Sequence, residues 1–245
     1  MMEVYGLLGR DISYSRSPEI HRVLWGKDIE ERDYLLFDTK NLIDFVGRAK
    51  AMSDLRGFNV TIPYKQAIIP YLDELEGDAL ATRAVNTVKC LPSGRWIGYN
   101  TDVIGFETLI GGMDLDPSSE IYILGTGGAS KAVVRALEKR GRASILISRH
   151  PQEGVLCYED LSTLLSTTFP KVIINTTPLG SHQLPDQLPP IPYSLLTSED
   201  TLIDLIYSPE ETPFMKEGQK VGAKVTNGLT MLWEQARAAQ AIWAR

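Results

Sequence analysis

The sequence predicts an α/β protein made of two domains, and three observations lead to that prediction. Short apolar runs alternate with segments of helical periodicity along the chain. The polar segment Asp114–Ser119, which contains Pro117, separates two halves that each show this alternation. In the second half, a glycine-rich turn stands directly between an apolar run and a helical segment.

The composition is that of an ordinary globular protein. The 245 residues are 43% hydrophobic and 23% charged, and the formal net charge of −6 gives no support for a nucleic-acid or anionic-membrane surface. The three histidines and two cysteines show no metal-ligand spacing, which predicts that no metal is bound and fits a reducing compartment. No basic segment followed by a long apolar stretch stands near Met1, and no apolar run approaches the ~20 residues of a membrane span. We therefore expect a cytoplasmic protein, with monomer and homodimer both open.

In the first half, apolar runs bounded by Gly, Pro or polar residues predict five strands. In order, they are Val4–Leu8, Tyr34–Phe37, Gly57–Ile62, Val85–Cys90 and Arg95–Tyr99. Ser17 and Pro18 suit the N-cap and the first position of a helix, and the acidic stretch Leu72–Ala84 is also predicted to be helical. A further helix opens at Asp102 and ends at Gly111.

In the second half, the same reasoning predicts five more strands separated by helices. The strands are Ile121–Leu124, Ala143–Ile147, Val172–Asn175, Thr201–Leu205 and Lys224–Thr226. The helix after the glycine turn should end at Gly141 in a left-handed cap, and a final helix begins near Asn227.

The glycine turn is a candidate phosphate-binding site. Gly125, Gly127 and Gly128 lie between a strand and a helix, where bare amides and the positive helix end can face an anion. Ser130 replaces the third glycine of the usual dinucleotide-binding pattern, so an ordinary tight turn remains the alternative. Arg149 follows about twenty residues later, where an acidic residue would bind a ribose hydroxyl. An arginine there favours NADP over NAD, unless it is only a solvated surface side chain.

Lys65 and Asp102 are the predicted proton-handling pair. Hydride delivered to a ketone leaves an alkoxide that must be protonated, and an ordinary lysine, with a pKa of about 10.4, holds a proton at neutral pH. A neighbouring carboxylate would keep the ammonium charged and aimed. The sequence does not show that the two are close: Lys65 alone could be a surface lysine, and Asp102 an acid favoured in the first turn of a helix.

Seven motifs in order make the chain resemble the shikimate dehydrogenase family over nearly its whole length. They are Gly9 with Tyr14–Pro18, Gly57–Lys65, Ala84–Thr87, Gly98–Asp102, Gly125–Ala129, Asn175–Gly180, and Asn227–Leu232 followed by Gln235 and Ala236. The resemblance implies an NADP-dependent oxidoreductase of the shikimate pathway. Its substrate domain would span residues 1–101 and be completed by the helix 228–245. A Rossmann-like NADP-binding domain would span residues 102–227, with the active site in the cleft between the two.

The resemblance also implies a role for individual residues. Lys65 and Asp102 would be catalytic. The substrate-binding residues would be Ser15, Ser17, Thr61, Asn86 and Gln235. The cofactor-binding residues would be Gly125, Gly127, Gly128, Ala129, Arg149, Thr176, Pro178, Leu205, Tyr207 and Gly228. Structural alternatives remain for the substrate set: a helix cap for Ser17, a strand residue for Thr61, a turn former for Asn86, and a polar position on a helix for Gln235.

The sequence departs from the family pattern at three places, of which the two around Arg149 bear on cofactor specificity. Tyr14 replaces a common histidine, Ser148 and His150 flank Arg149 in place of Asn and Thr, and Glu153 stands where a second basic residue often lies. The weaker positive charge leaves room for NAD use. The alternatives are therefore a quinate/shikimate dehydrogenase relative that uses NAD, and a non-catalytic homologue that binds a metabolite.

Overall fold

A computed structural model describes residues 2–167 and 169–245, which form two compact units. Unit 1 contains the described residues up to Gly105 together with Trp233–Arg245, and unit 2 is Phe106–Leu232. The first boundary therefore lies after Gly105 rather than after residue 101, and the second after Leu232 rather than residue 227. Both fall inside helices, α5 (Asp102–Gly111) and α9 (Leu229–Trp243), so Asp102 belongs to the same unit as Lys65.

Unit 1 is built on a mixed six-stranded sheet in the order β2-β1-β3-β5-β6-β4. The strands are β1 (Glu3–Gly9), β2 (Arg32–Asp38), β3 (Gly57–Val60), β4 (Glu74–Leu75), β5 (Thr87–Cys90) and β6 (Trp96–Tyr99). The helices are α1 (Ser17–Trp25), α2 (Leu42–Ala51), α3 (Tyr64–Ala67) and α4 (Asp78–Thr82). Strand β1 is parallel to β3, and β5 is antiparallel to both β3 and β6. The carboxyl ends of β1, β3 and β6 and the amino end of β5 therefore meet at one edge.

The unit 1 sheet has a hydrophobic cluster on each face. Val4 and Leu8 of β1 pack in one cluster, whereas Tyr5 and Leu7 pack in the other, as the alternation along a strand requires. Burial on both faces explains why β1 is a continuous apolar run. The second cluster also contains Ala239, Ile242 and Trp243 of α9.

A buried histidine lies beside this second cluster. The His21 ring stacks on Tyr34 with centroids 4.4 Å apart, and Gln240 Nε2 lies 3.1 Å from His21 Nδ1. Burial lowers the pKa of His21 to about 3. His21 is therefore neutral at physiological pH.

Unit 2 has a six-stranded, fully parallel sheet in the order β12-β11-β10-β7-β8-β9. The strands are β7 (Glu120–Leu124), β8 (Ile145–Ser148), β9 (Val155–Cys157), β10 (Lys171–Asn175), β11 (Thr201–Asp204) and β12 (Lys224–Thr226). The helices are α6 (Gly128–Lys139), α7 (Leu161–Leu164) and α8 (Pro213–Lys220). The strand order reverses between β7 and β10. Open parallel sheets bind ligands outside the carboxyl ends of the strands at such a point.

The predicted α/β class and most of the elements are confirmed, with local differences. Gly141 has φ +67° just beyond α6 and forms the expected left-handed cap. Ser17 is not a cap: it is the first residue of α1, and the N-cap position belongs to Arg16, without a side-chain hydrogen bond. The acidic stretch Leu72–Ala84 contains the short strand β4 as well as α4, and β9 was not predicted.

Candidate active site

A polar cluster in unit 1 gathers at the edge where β3, β5 and β6 meet. Lys65 lies on α3, which follows β3; Asn86 immediately precedes β5, and Asp102 begins the helix after β6. Backbone hydrogen bonds fix this arrangement, since Val85 N–H donates to Lys65 O at 2.7 Å and Asn86 N–H donates to Tyr99 O at 3.1 Å. The antiparallel strand β5 thus brings together two residues that are 37 positions apart in the chain.

Lys65 and Asp102 form a close, largely buried ion pair. Lys65 Nζ donates to Asp102 Oδ2 at 2.5 Å, and the two side chains are only 16% and 8% exposed. Asp102 Oδ1 accepts a second hydrogen bond from Asn86 Nδ2 at 2.8 Å, so both carboxylate oxygens have a donor. The carboxylate holds the ammonium in one direction, while the remaining exposure leaves Nζ within reach of solvent or a ligand. This arrangement suits transfer of a proton to a carbonyl oxygen.

Asn86 is the hub of the cluster. Its Nδ2 also donates to Gln235 Oε1 at 3.3 Å, which joins helix α9 to the sheet edge. Its Oδ1 accepts from Thr101 N at 2.7 Å and from the Thr87 hydroxyl at 3.1 Å. Because both the oxygen and the nitrogen of its amide are hydrogen-bonded, Asn86 has one fixed orientation. Its Nδ2 therefore also fixes the positions of Asp102 and Gln235.

Ser15 lies in the loop after β1, and Ser17 is the first residue of α1, which follows this loop. Their hydroxyl oxygens are 3.2 Å apart, and Ser17 N–H donates to Ser15 Oγ. The loop is anchored because Asp38 accepts hydrogen bonds from the backbone of Asp11 at 2.9 Å and Ile12 at 3.1 Å. The polar side chains of this loop therefore stand in fixed positions at the carboxyl end of β1.

A hydrogen-bonded chain that sequence reasoning missed connects Tyr34 with the Asn86 hub. The buried Tyr34 hydroxyl donates to Asn59 Oδ1 at 2.8 Å. Asn59 Nδ2 then donates to Asn86 O at 3.2 Å and to Thr87 Oγ1 at 3.0 Å. Asn59 lies in a recognised motif, but only the structure shows what its amide contacts. Thr61, in the middle of the same motif, is half-buried, and its N–H donates to Leu8 O at 2.8 Å.

The glycine turn in unit 2 has the geometry that a phosphate group needs. Gly125 has φ +107°, and a Cβ there would lie 2.9 Å from Thr176 Oγ1. Among the described residues other than Gly127 and its chain neighbours, no atom lies within 4 Å of a Cβ built on Gly127, so the backbone is open to close approach by a ligand. Gly128 and Ala129 begin α6, and the N-cap residue of that helix is Gly127, which has no side chain to cap it. Ser130 Oγ instead donates to Gly127 O at 2.7 Å, which leaves the first amides of α6 for an anion.

Two further segments meet this turn at the carboxyl edge of the sheet. Thr176 donates from N and Oγ1 to Leu124 O, at 3.0 and 2.7 Å, which holds the 176–178 loop with Pro178 against β7. Leu205 and Tyr207 follow β11. Gly228 packs directly on this segment, because a Cβ there would overlap Leu205 O.

Arg149 lies at the carboxyl end of β8 and is exposed. Burial raises the pKa of Tyr158, and the charge of Arg149 opposes that shift. Within residues 2–167 and 169–245, Arg149 has no ion-pair partner, so its charge is available to a ligand. Glu153, four positions on, is also exposed.

Two absences concern the part of the chain that the structure describes. It contains no group of three or more His, Cys, Asp or Glu side chains placed to hold a metal ion. None of its helices combines the length and the apolar character that crossing a membrane requires.

Comparison with known proteins gives one consistent result. A family model described as the shikimate dehydrogenase substrate binding domain matches residues 7–88. The NADP⁺ shikimate dehydrogenase of Clostridium beijerinckii is 36% identical over 99% of this chain and 92% of its own length. The crystal structure of shikimate 5-dehydrogenase from Thermus thermophilus, in complex with NADP(H) and shikimate, matches with a TM-score of 0.85 and 30% identity over 99% of this chain and 93% of that one. A quinate dehydrogenase from Corynebacterium glutamicum in complex with NAD matches with a TM-score of 0.83 and 25% identity, over 99% of this chain and 93% of that one.

Proposed function

The chain belongs to the shikimate dehydrogenase family, and on that premise we propose that its Lys65–Asp102 pair catalyses the reversible NADPH-dependent reduction of 3-dehydroshikimate to shikimate. This reaction is an oxidoreductase step on a CH–OH group in chorismate and aromatic amino acid biosynthesis. The 2.5 Å contact between Lys65 Nζ and Asp102 Oδ2 is the observation that carries the proposal, because it provides an aimed proton donor.

The proton follows a short route. When bound, NADPH supplies the hydride that reduces the carbonyl carbon. Lys65 Nζ donates its proton to the carbonyl oxygen as negative charge develops there, and the resulting amine takes a proton back from water at its exposed side. Asp102 keeps the ammonium charged and aimed before transfer. In the oxidation direction, the neutral amine of Lys65 accepts the hydroxyl proton.

Unit 1 is the proposed substrate-binding unit. The substrate has a carboxylate and ring hydroxyl groups, and the hydroxyl and amide side chains at the sheet edge match both. The Ser15 and Ser17 hydroxyls suit the carboxylate, since hydroxyl groups donate to anions. Asn86, Gln235 and Asp102 suit the ring alcohols. Thr61 completes the set beside Lys65.

Unit 2 is the proposed NADP-binding unit. The open backbone at Gly127 and the uncapped start of α6 fit a pyrophosphate. Arg149 would pair with the 2′-phosphate. The remaining residues proposed to contact NADP are Gly125, Gly128, Ala129, Thr176, Pro178, Leu205, Tyr207 and Gly228.

A kinetic matrix of two acids and two cofactors tests the proposal. Purified protein is supplied with shikimate or quinate and with NADP⁺ or NAD⁺, and reduced cofactor is followed by absorbance. The highest kcat/KM is expected for shikimate with NADP⁺. Absence of turnover with all four combinations would refute the dehydrogenase function and favour a non-catalytic metabolite-binding homologue.

Quinate oxidation with NAD⁺ is the second candidate. Glu153 favours it, because an acidic side chain near Arg149 weakens the attraction for a 2′-phosphate. A kcat/KM for quinate with NAD⁺ above that for shikimate with NADP⁺ would establish this alternative.

The proposal includes a cytoplasmic location and a monomer or homodimer. Cys90 and Cys157 are free thiols, which suits a reducing compartment. Light scattering after size-exclusion chromatography would distinguish a monomer from a dimer.

A further inference from the structure

Asp204 is a buried acid to which neither the family motifs nor the proposed mechanism gives a role. It ends β11, the strand that leads into Leu205 and Tyr207, and its side chain is fully buried. Burial of a carboxylate costs free energy unless hydrogen-bond donors surround it. The three hydrogen bonds of Asp204 therefore indicate which chain segments it holds in place.

Each hydrogen bond joins Asp204 to a different segment at the carboxyl edge of the unit 2 sheet. Oδ1 accepts from Asn175 Nδ2 and from Ile206 N–H, both at 3.0 Å. Oδ2 accepts from the Thr212 hydroxyl at 2.7 Å. Asn175 precedes Thr176, Ile206 lies between the proposed cofactor residues Leu205 and Tyr207, and Thr212 is the N-cap of α8.

The neighbouring contacts fix the direction of these bonds. Asn175 Oδ1 accepts from Thr177 N–H at 3.0 Å, so the amide must present its NH₂ group to Asp204. Thr212 Oγ1 accepts from Met215 N–H at 3.3 Å, which leaves its own proton for the carboxylate. All three groups donate to Asp204, so the surroundings favour the ionised carboxylate, in which both oxygens accept hydrogen bonds.

The segments held in this way are the ones that flank the cofactor site. Ile206 O accepts from Gly228 N–H at 3.1 Å, and Leu205 N–H donates to Asn175 O at 3.0 Å. From this geometry, and resting on the proposed NADP-binding function of unit 2, we propose that ionised Asp204 is a positioning residue. It sets the 175–178 loop and the 205–207 segment for binding of the nicotinamide cofactor.

The protonation state of Asp204 gives the proposal a second, independent readout. Burial raises the pKa of Asp204 to about 6, opposed by the hydrogen bonds from Thr212, Ile206 and Asn175. Tyr193 is a titratable group whose electrostatics involve Asp204: burial, followed by the charges of Glu217 of α8 and of Asp204, raises the pKa of Tyr193. Glu217 is itself paired with Lys220 at 2.6 Å. Protonation below pH about 6 removes an acceptor site and should loosen both segments.

Asp200 provides a matched control. It is equally buried but stands at the amino end of the same strand, where it accepts from Lys171 N–H at 2.8 Å and Thr197 N–H at 2.7 Å. That edge lies opposite the carboxyl ends at which parallel sheets bind ligands. Asp204→Asn and Asp200→Asn remove the same charge from comparable surroundings, and only the first lies near the cofactor site.

The test measures NADPH affinity by calorimetry and steady-state kinetics for the wild type and both variants between pH 5.5 and 8. At pH 7.5, Asp204→Asn should raise the NADPH Kd about tenfold, which corresponds to about 1.4 kcal/mol, with the KM for 3-dehydroshikimate within about twofold of wild type. Asp200→Asn should lower the Tm and leave the NADPH Kd unchanged. As pH falls through about 6, the NADPH Kd should rise more in the wild type and in Asp200→Asn than in Asp204→Asn. Titration of the 2′-phosphate is common to all three proteins and cancels in this comparison.

An Asp204→Asn protein with wild-type NADPH Kd, or an equal loss of affinity in Asp200→Asn, overturns the proposal. If Asp204→Asn does not fold, Thr212→Val removes one of the same hydrogen bonds without changing the side-chain shape. A wild-type Kd in that variant is then the refuting result. Failure of the wild type to bind NADPH or to turn over would instead refute the proposed function, so the two failures are distinguishable.

Discussion

Replacing Lys65 by alanine should depress kcat far more than it weakens substrate binding. General acid catalysis contributes about 10²–10⁴ in rate. Because the Lys65 side chain is 16% exposed, water can reach the site and substitute poorly for the ammonium. We therefore expect the lower part of that range, a fall in kcat of about 10²–10³, or roughly 3–4 kcal/mol in activation free energy. The substrate loses one hydrogen bond, so its KM should rise by less than about tenfold.

The variant should still fold. Asp102 keeps its hydrogen bond from Asn86, so the carboxylate loses only one of two partners. The expected loss in the free energy of unfolding is about 1–3 kcal/mol, measured by chemical denaturation. Lys89→Ala is the control, because Lys89 lies on β5 of the same sheet and is not a member of the cluster.

Kinetics of NADPH formation from shikimate provide the assay. A folded Lys65→Ala protein with a kcat within about threefold of wild type would remove Lys65 from the role of proton donor. Lys65→Arg sharpens the result, because arginine keeps the charge but does not release its proton. Full activity in Lys65→Arg would show that the charge alone matters and would refute proton transfer from this side chain.

Three further predictions concern the cofactor, the backbone and the pH. Arg149→Ala should raise the KM for NADP⁺ by about 10–100-fold, because a hydrogen bond to a charged group contributes a binding free energy that corresponds to this factor. The KM for NAD⁺ should stay unchanged. Equal changes for both cofactors would contradict the 2′-phosphate role. Gly228→Ala should destabilise the fold by about 1–3 kcal/mol, since its Cβ would overlap Leu205 O. Gly47→Ala should instead stabilise the fold by about 1 kcal/mol, because Gly47 lies on α2 with open space around it. Thermal unfolding measures both effects. His21 binds a proton in the unfolded chain below pH about 6.5 but in the folded chain only near pH 3, so wild-type stability should fall as pH decreases through this window. His21→Phe should show a slope shallower by up to about 1.4 kcal/mol per pH unit, and identical slopes in urea titrations would count against it.

The strands at the centre of each sheet could be predicted because they are buried on both faces. Leu202 and Ile203 of β11, like Ile173 and Ile174 of β10, are fully buried neighbours, and such pairs read as continuous apolar runs. The short strands β4 and β9 lie at the margins of their sheets and have two and three residues. Runs of that length carry no periodicity and are easily missed, although the sequence does predict β12, which also has three residues and lies at the other margin of its sheet.

The candidate site, too, could be predicted from the sequence only in part. Residue types and their places after strands indicated Lys65 and Asp102, but their contact depends on β5 pairing antiparallel with β3 as well as with β6. The turn Leu91–Gly94 predicts only the hairpin of β5 with β6. Asp204 was overlooked although a signal existed: it is an acid in a run of buried apolar residues, and such an acid needs donors nearby. Which donors it finds is set by tertiary structure alone.

The discontinuity of unit 1 has a consequence for the order in which a ribosome produces this protein. Its sheet is encoded before unit 2, yet Trp243, whose Nε1 donates to Val88 O at 2.9 Å, is translated only after unit 2 is complete. Gln235 is also translated after it. Unit 2, which is continuous in sequence, can therefore fold first during synthesis, although domains generally fold from the N-terminus onward. A nascent chain stalled before residue 233 would contain both members of the ion pair and still lack the residues that α9 contributes to the core of unit 1.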